Sequence, residues 1–181
     1  MTYHRTDIVE RAIGVLDLYG LPDLSMRRLA GELGIQPSAL YHHFASKQAL
    51  LAAVADELLV RGTRPEAQGD EWDVLVVALS RELRDAMLAY RDGAELIATV
   101  HAFGLGAASP AARLTAAISS GGFDDEFAGS AATTILYFVF GHVSDEQTNL
   151  QANSVGAIDT RMDVGASESF EPGLSLILDG T

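Results

Sequence analysis

The run from residue 25 to 51, SMRRLAGELGIQPSALYHHFASKQALL, constrains this chain more than anything else in it, because a Leu-Gly-Ile turn joins two short helical patterns there. Ser25 stands where an N-cap belongs, and Met26, Leu29, Ala30 and Leu33 recur at the spacing that lines one face of a helix. Gly34 is the natural stop, since a left-handed residue is cheap only for glycine, and Ile35 folds back after it as an apolar plug. Pro37 suits the first turn of a second helix, where its missing N–H costs nothing. Leu40 and Phe44, one helical turn apart, face inward. Gln36, Pro37, Ser38, Ala39, Tyr41, His42 and His43 are left facing out. A core has no use for such a face, whose amide, phenol, imidazole and small methyl groups suit base edges, thymine methyls and phosphates in a major groove. Ser46 caps a third helix and puts Lys47 at its start, where a cation opposes the helix dipole unless an anion lies nearby. A DNA phosphate is such an anion, and Arg27 is placed to meet another. The arrangement is a helix-turn-helix.

Two short helices cannot bury a core alone, so a further helix is required over 6–19, with Ile8, Ala12, Val15, Leu16 and Tyr19 on one side. Arg5 before it either reaches a phosphate or minor groove or is a solvated terminal charge. The helix begun at Ser46 is expected to run to Arg64. Gly62 to Glu71 is rich in Gly, Pro and charge, which places a domain boundary there and divides the chain into 1–64 and 65–181. Beyond it, the apolar residues Trp72 through Tyr90 repeat at helical spacing, a shorter apolar segment covers Ala94 to Phe103, and Ser109 and Asp124 cap two more helices. From Ala131 to Val143 the sequence is apolar nearly all round, so that helix is expected to be covered on one side by its own domain and on another by a second copy. Residues 151–168 read as a loop. Phe170, Leu174, Ile177 and Leu178 then line one face of a terminal helix, a second candidate for subunit contact.

The net charge of −13 argues against nucleic acid only until its distribution is considered. Residues 1–64 hold seven Lys/Arg and seven Asp/Glu, so the whole acidic excess lies behind them. Arg27, Arg28 and Lys47 against Glu32 leave the helix-turn-helix locally basic. There is no cysteine, hence no disulfide framework or zinc finger. No apolar leader or membrane-length apolar run is evident, so a cytoplasmic chain is expected. No metalloprotease pair, nucleophile elbow or phosphate loop points to an enzyme, and no cofactor or metal is expected.

Arg27 to Ile35 (R-x-L-A-x-x-L-G-I), Leu40 to Phe44 (L-Y-x-H-F) and Ser46 to Leu51 (S-K-x-x-L-L) together resemble the DNA-binding domain of the tetracycline-repressor (TetR) family. YRDGAELI, GHVSDEQ and the closing F-x-x-G-L-x-L-I-L-x-G are similar to the ligand-binding domain of the tetracycline-repressor subfamily. The resemblance implies an all-α fold with an N-terminal helix-turn-helix domain and a larger ligand-binding and dimerisation domain. It implies a four-helix bundle between two copies, for which Ala131, Ile135, Phe138, Val139, Phe170, Leu174, Ile177 and Leu178 are the candidates. The subfamily's drug- and magnesium-contacting positions fall here on Thr63, Leu79, Leu83, Ile97 and Val100. Leucine and valine offer a magnesium ion no oxygen. A mainly apolar pocket is therefore expected, lined by Leu79, Leu83, Met87, Ile97, Val100, Phe103, Ile135 and Phe138, with His101 and His142 as polar handles. The chain is expected to be a homodimeric transcriptional regulator, a repressor released from a near-palindromic DNA operator by a small-molecule effector. The alternative is an effector-binding helical protein that acts through protein partners without DNA.

Overall fold

The structure, a computed structural model, describes residues 3–65, 71–154 and 168–180. Among them it is all α, in nine helices: α1 (Arg5–Tyr19), α2 (Met26–Leu33), α3 (Pro37–Tyr41), α4 (Lys47–Gly62), α5 (Trp72–Leu88), α6 (Gly93–Ala102), α7 (Pro110–Ser120), α8 (Asp125–Ser154) and α9 (Phe170–Asp179). Part of the Gly62 to Glu71 stretch and most of the expected 151–168 loop lie outside the described residues.

Local rules account for where the helices begin and end. At the start of α1 the Asp7 carboxylate accepts from the His4 N–H at 2.7 Å. Ser25 Oγ accepts from the Arg28 N–H at 3.2 Å, and Ser46 Oγ from the Ala49 N–H at 3.1 Å, which caps α2 and α4. Gly34 takes the left-handed conformation after α2 (φ 66°, ψ 31°), and the Ile35 N–H returns to the Ala30 carbonyl at 3.0 Å. Three ends differ from expectation. α4 stops at Gly62, not Arg64, α5 stops at Leu88, not Tyr90, and α8 runs on to Ser154, into the stretch expected as a loop.

The chain divides into two compact units, and the division does not follow the 64/65 boundary: residues 1–62 are joined by 86–108, while 63–85 go with 109–181. The physical reason is that α6, although it follows the linker in sequence, packs on α4. In this first unit α4 lies against both α1 and α6, α1 against α2, and α2 against α3. Ile8, Ala12, Leu16, Leu29, Leu40, Phe44, Leu50, Val54, Leu58 and Leu96 form its core. In the second unit α8 packs along α7, with α9 against α8. Glu82 is buried on α5 and accepts from the Arg113 guanidinium and from the Arg64 backbone N–H, and buried Glu146 on α8 holds Arg84 in a two-pronged pair.

α8 is longer than expected. By length and composition it could cross a bilayer. Its sides nevertheless differ: Ala128, Ala132, Ile135, Leu136, Val139, Phe140 and Val143 are buried, whereas Thr133, Thr134, Tyr137, Gly141, Asp145 and Thr148 are exposed. A helix so divided is a core helix with one free face.

Candidate DNA-binding face and ligand-binding residues

α3 is short, and its two sides are unambiguous. Pro37 opens it, Leu40 is fully buried, and Phe44 just beyond it is buried as well. Opposite them Gln36, Ser38, Tyr41, His42 and His43 are exposed, with Pro37 and Ala39 half-buried. Tyr41 is 52% exposed, far more than a phenol ring with a packing role would be. Arg27 on α2 is exposed and Lys47 at the start of α4 is half-buried. Every one of the nine residues singled out for DNA contact thus retains solvent access.

Two other cations are spoken for. The Arg28 guanidinium lies 3.7 Å over the Tyr19 ring and donates to Asp23 at 2.9 Å. Arg5 lies 4.7 Å over the Phe44 ring, which gives it a packing role at the end of α3 that the sequence did not signal. Neither partnership leaves a mark on sequence spacing, so charge counting alone overstates the basic surface.

The residues chosen for an apolar pocket are distributed over both units: Met87, Ile97, Val100, His101 and Phe103 in the first, Leu79, Leu83, Ile135, Phe138 and His142 in the second. Leu83, Met87, Ile97, Val100 and Ile135 are buried. Phe103 is not a wall of anything, since it caps α6 and stands 63% exposed, because the helix ends one residue before it. His142 is half-buried with its ring 5.6 Å from that of Phe138 and 5.2 Å from that of Phe170, and its Nε2 is buried without a hydrogen-bond partner among the described residues. Two open grooves lie elsewhere. One of about 340 Å³ runs between α1 and α4 in the first unit, and one of about 650 Å³ between α5 and α9 in the second. Neither contains a residue chosen for the pocket. No cluster of His, Asp and Glu fit to hold a metal occurs among the described residues.

The subunit-contact candidates also need correction. Ile135, Val139, Phe170 and Leu174 are buried inside the chain itself, so they are not available to a partner. Phe138 stacks on Phe170 at 5.7 Å. What α8 turns outward is Thr134, Tyr137 and Gly141, and α9 turns out Leu176, with Ile177 and Leu178 half-covered and Ala131 likewise. The sequence pattern does not separate the covered face of these helices from the free one, because apolarity does not say which chain covers a side chain.

Residues 8–54 match the family described as "Bacterial regulatory proteins, tetR family", and residues 64–163 match "Tetracyclin repressor-like, C-terminal domain". The chain belongs to the TetR family. It is a DNA-binding helix-turn-helix regulator and not an enzyme. The tetracycline repressor protein class A from transposon 1721 of Escherichia coli is 34% identical to it, over 96% of this chain and 88% of that one. Among solved structures, BioQ of Mycobacterium smegmatis is 40% identical, with a TM-score of 0.91 over 99% of this chain and 97% of that one. A structure of BioQ with its natural double-stranded DNA operator is 38% identical, with a TM-score of 0.85 over 99% and 98% of the two chains. The helix-turn-helix of the N-terminal part is formed here by α2 and α3.

Proposed function

We propose that this chain is a homodimeric repressor that binds a near-palindromic operator and is released from it by a small, mainly apolar effector. The observation that carries the DNA part is the division of α3, with Leu40 and Phe44 buried and Gln36, Ser38, Tyr41, His42 and His43 exposed on the other side. Arg27 and Lys47 flank that face and supply the charge that fixes register on the phosphates, while the α3 side chains read bases. The operator complex of BioQ supports the same reading by likeness. Two such helices, held in one dimer, enter successive major grooves, so half-sites lie roughly 34–36 Å apart.

The outward face of α8 around Tyr137, together with the exposed Leu176 on α9, forms the subunit contact. The effector meets apolar residues that stand where the subfamily places polar contacts, above all Leu83 in the second unit, with His142 Nε2 of the same unit, buried without a hydrogen-bond partner among the described residues, as its polar anchor. A buried nitrogen without a partner costs about 1–3 kcal/mol, which a hydrogen-bonding group of the effector recovers. Its effect on DNA is limited to the difference in its affinity for the two states.

Selection from random DNA is expected to return a near-palindrome. On that operator Tyr41→Ala combined with Lys47→Ala weakens binding on the order of a hundredfold, since each lost contact is worth about 1–3 kcal/mol. Sedimentation of the dimer stays unchanged. A double variant that shifts the operator at the parent's concentration would place the DNA face elsewhere.

A further inference from the structure

Asp56 sits in the body of α4, away from the exposed side of α3. Its Oδ1 accepts from the backbone N–H groups of Ala107 and Ala108, each at 2.9 Å, and its Oδ2 accepts from the Ala107 N–H, also at 2.9 Å. These amides belong to the turn after α6, in which Gly104 and Gly106 take positive φ of 64° and 89°. A Cβ at Gly106 would be strained by that φ and would stand 2.9 Å from Asp56 Oδ1. A turn that aims successive N–H groups at one point is an anion nest, and here the chain supplies the anion itself.

The position of this contact in the chain gives it weight. The backbone passes between the two compact units at 62/63, 85/86 and 108/109. Each of these crossings begins or ends beside α4. Gly62 is its last residue and lies so close to Ala86 that a Cβ would come within 2.6 Å of the alanine methyl. Asp56, nearly two turns earlier, holds Ala107 and Ala108, the last residues before the third crossing. The other end of α6 is tied down as well, by Asp92 Oδ2 accepting from the Leu21 N–H at 2.7 Å in the turn between α1 and α2. α4 in turn begins with Lys47, which follows α3 after a short turn.

We propose that Asp56 is a positioning residue for operator binding: by clasping the Gly104 to Ala108 turn it fixes α4, and through α4 the placement of Lys47 and α3, without itself touching DNA. It works on the free energy of the correctly placed head and not on any phosphate contact. Operator affinity therefore depends on it, whereas the number of counterions released does not.

The test uses the full chain and an operator fragment obtained by selection from random DNA. Dissociation constants are measured across a salt series, beside thermal unfolding. Asp56→Leu, which removes both acceptors at similar volume, is expected to bind about tenfold more weakly. Asp56→Asn keeps an oxygen for the two amides and is expected to recover most of that loss, to within about threefold of the parent. Gly106→Ala, which attacks the clasp from the turn side, weakens binding in the same direction. In all of them the slope of log K against log salt equals the parent's. The proposal is overturned if folded Asp56→Leu binds within about twofold of the parent, if its salt slope falls, or if the loss disappears well below its melting temperature. Should Asp56→Leu fail to fold, parent-like operator affinity in Gly106→Ala overturns it.

Discussion

Glu171 on α9 and Arg81 on α5 illustrate what a single pair contributes. Arg81 donates through Nε and Nη2 to the two carboxylate oxygens at 2.6 and 2.8 Å. Those hydrogen bonds hold the Glu171 carboxyl below its ordinary 4.5 against the opposing effect of burial, and they raise the Arg81 guanidinium. A depressed carboxyl means that the unfolded chain takes up the proton first as pH falls, so the pair's contribution is complete above the ordinary value and drains away as pH drops through the depressed one. Both side chains are about half exposed, so the effect is small. Glu171→Gln is expected to lower the melting temperature at pH 7 by about 1–4 °C, with the gap to the parent closing at the acid end of a melt series from about pH 7 to 3. A gap that stays constant with pH would show that the carboxylate is not its source. At this same scale the sequence was most legible where the rule is local, as for Ser25, Gly34, Pro37 and Ser46. It was least legible for Arg5 and Arg28, whose partners Phe44, Tyr19 and Asp23 are decided by packing.

Helices are where periodicity speaks, and α8 shows how far it reaches. Its apolar residues between Ala128 and Val143 lie nearly all round the helix, so Ile135, Val139, Tyr137 and Phe138 are equally acceptable to a hydrophobicity pattern, and only the packing of α7 and α9 against it decides which of them is inside. Tyr137 is 63% exposed and Ile135 is 1% exposed, so a charge at the two positions has different consequences. Tyr137→Asp is expected to keep the melting temperature and helix content of one folded chain while turning dimers into monomers in sedimentation. Ile135→Asp buries an unpaired carboxylate and is expected to cost several kcal/mol, lowering the yield of folded protein whatever its oligomeric state. A dimeric Tyr137→Asp protein would remove this face from the subunit contact. α6 carries a related lesson: the run from Ala94 to Phe103 was legible as an apolar segment, but nothing in its order says that the helix it forms packs on α4.

At the scale of the whole chain, covalent order and packing give different partitions. The composition shift after Gly62 and the two family matches, ending at 54 and beginning at 64, put a boundary near the linker, while the first compact unit reaches past it to take in 86–108. The consequence is energetic. Leu50, Val54, Ala55 and Leu58 on α4 are each 1% exposed or less, and α1 and α6 lie against α4 together. A fragment of residues 1–64 would therefore leave part of that face in water, forfeiting about 1.5–3 kcal/mol for each large side chain uncovered, a large share of the stability of so small a domain. It would also lose the Asp92 acceptor of the Leu21 N–H and, at Asp56, the turn that its carboxylate clasps. The fragment is expected to melt over a broad range with weak cooperativity by circular dichroism, and a fragment of 1–108 to melt more sharply and at higher temperature. If 1–64 alone unfolds in one sharp transition at the midpoint of 1–108, then α6 contributes nothing to holding the DNA-binding helices. The boundary that matters for stability would in that case be the one in the sequence.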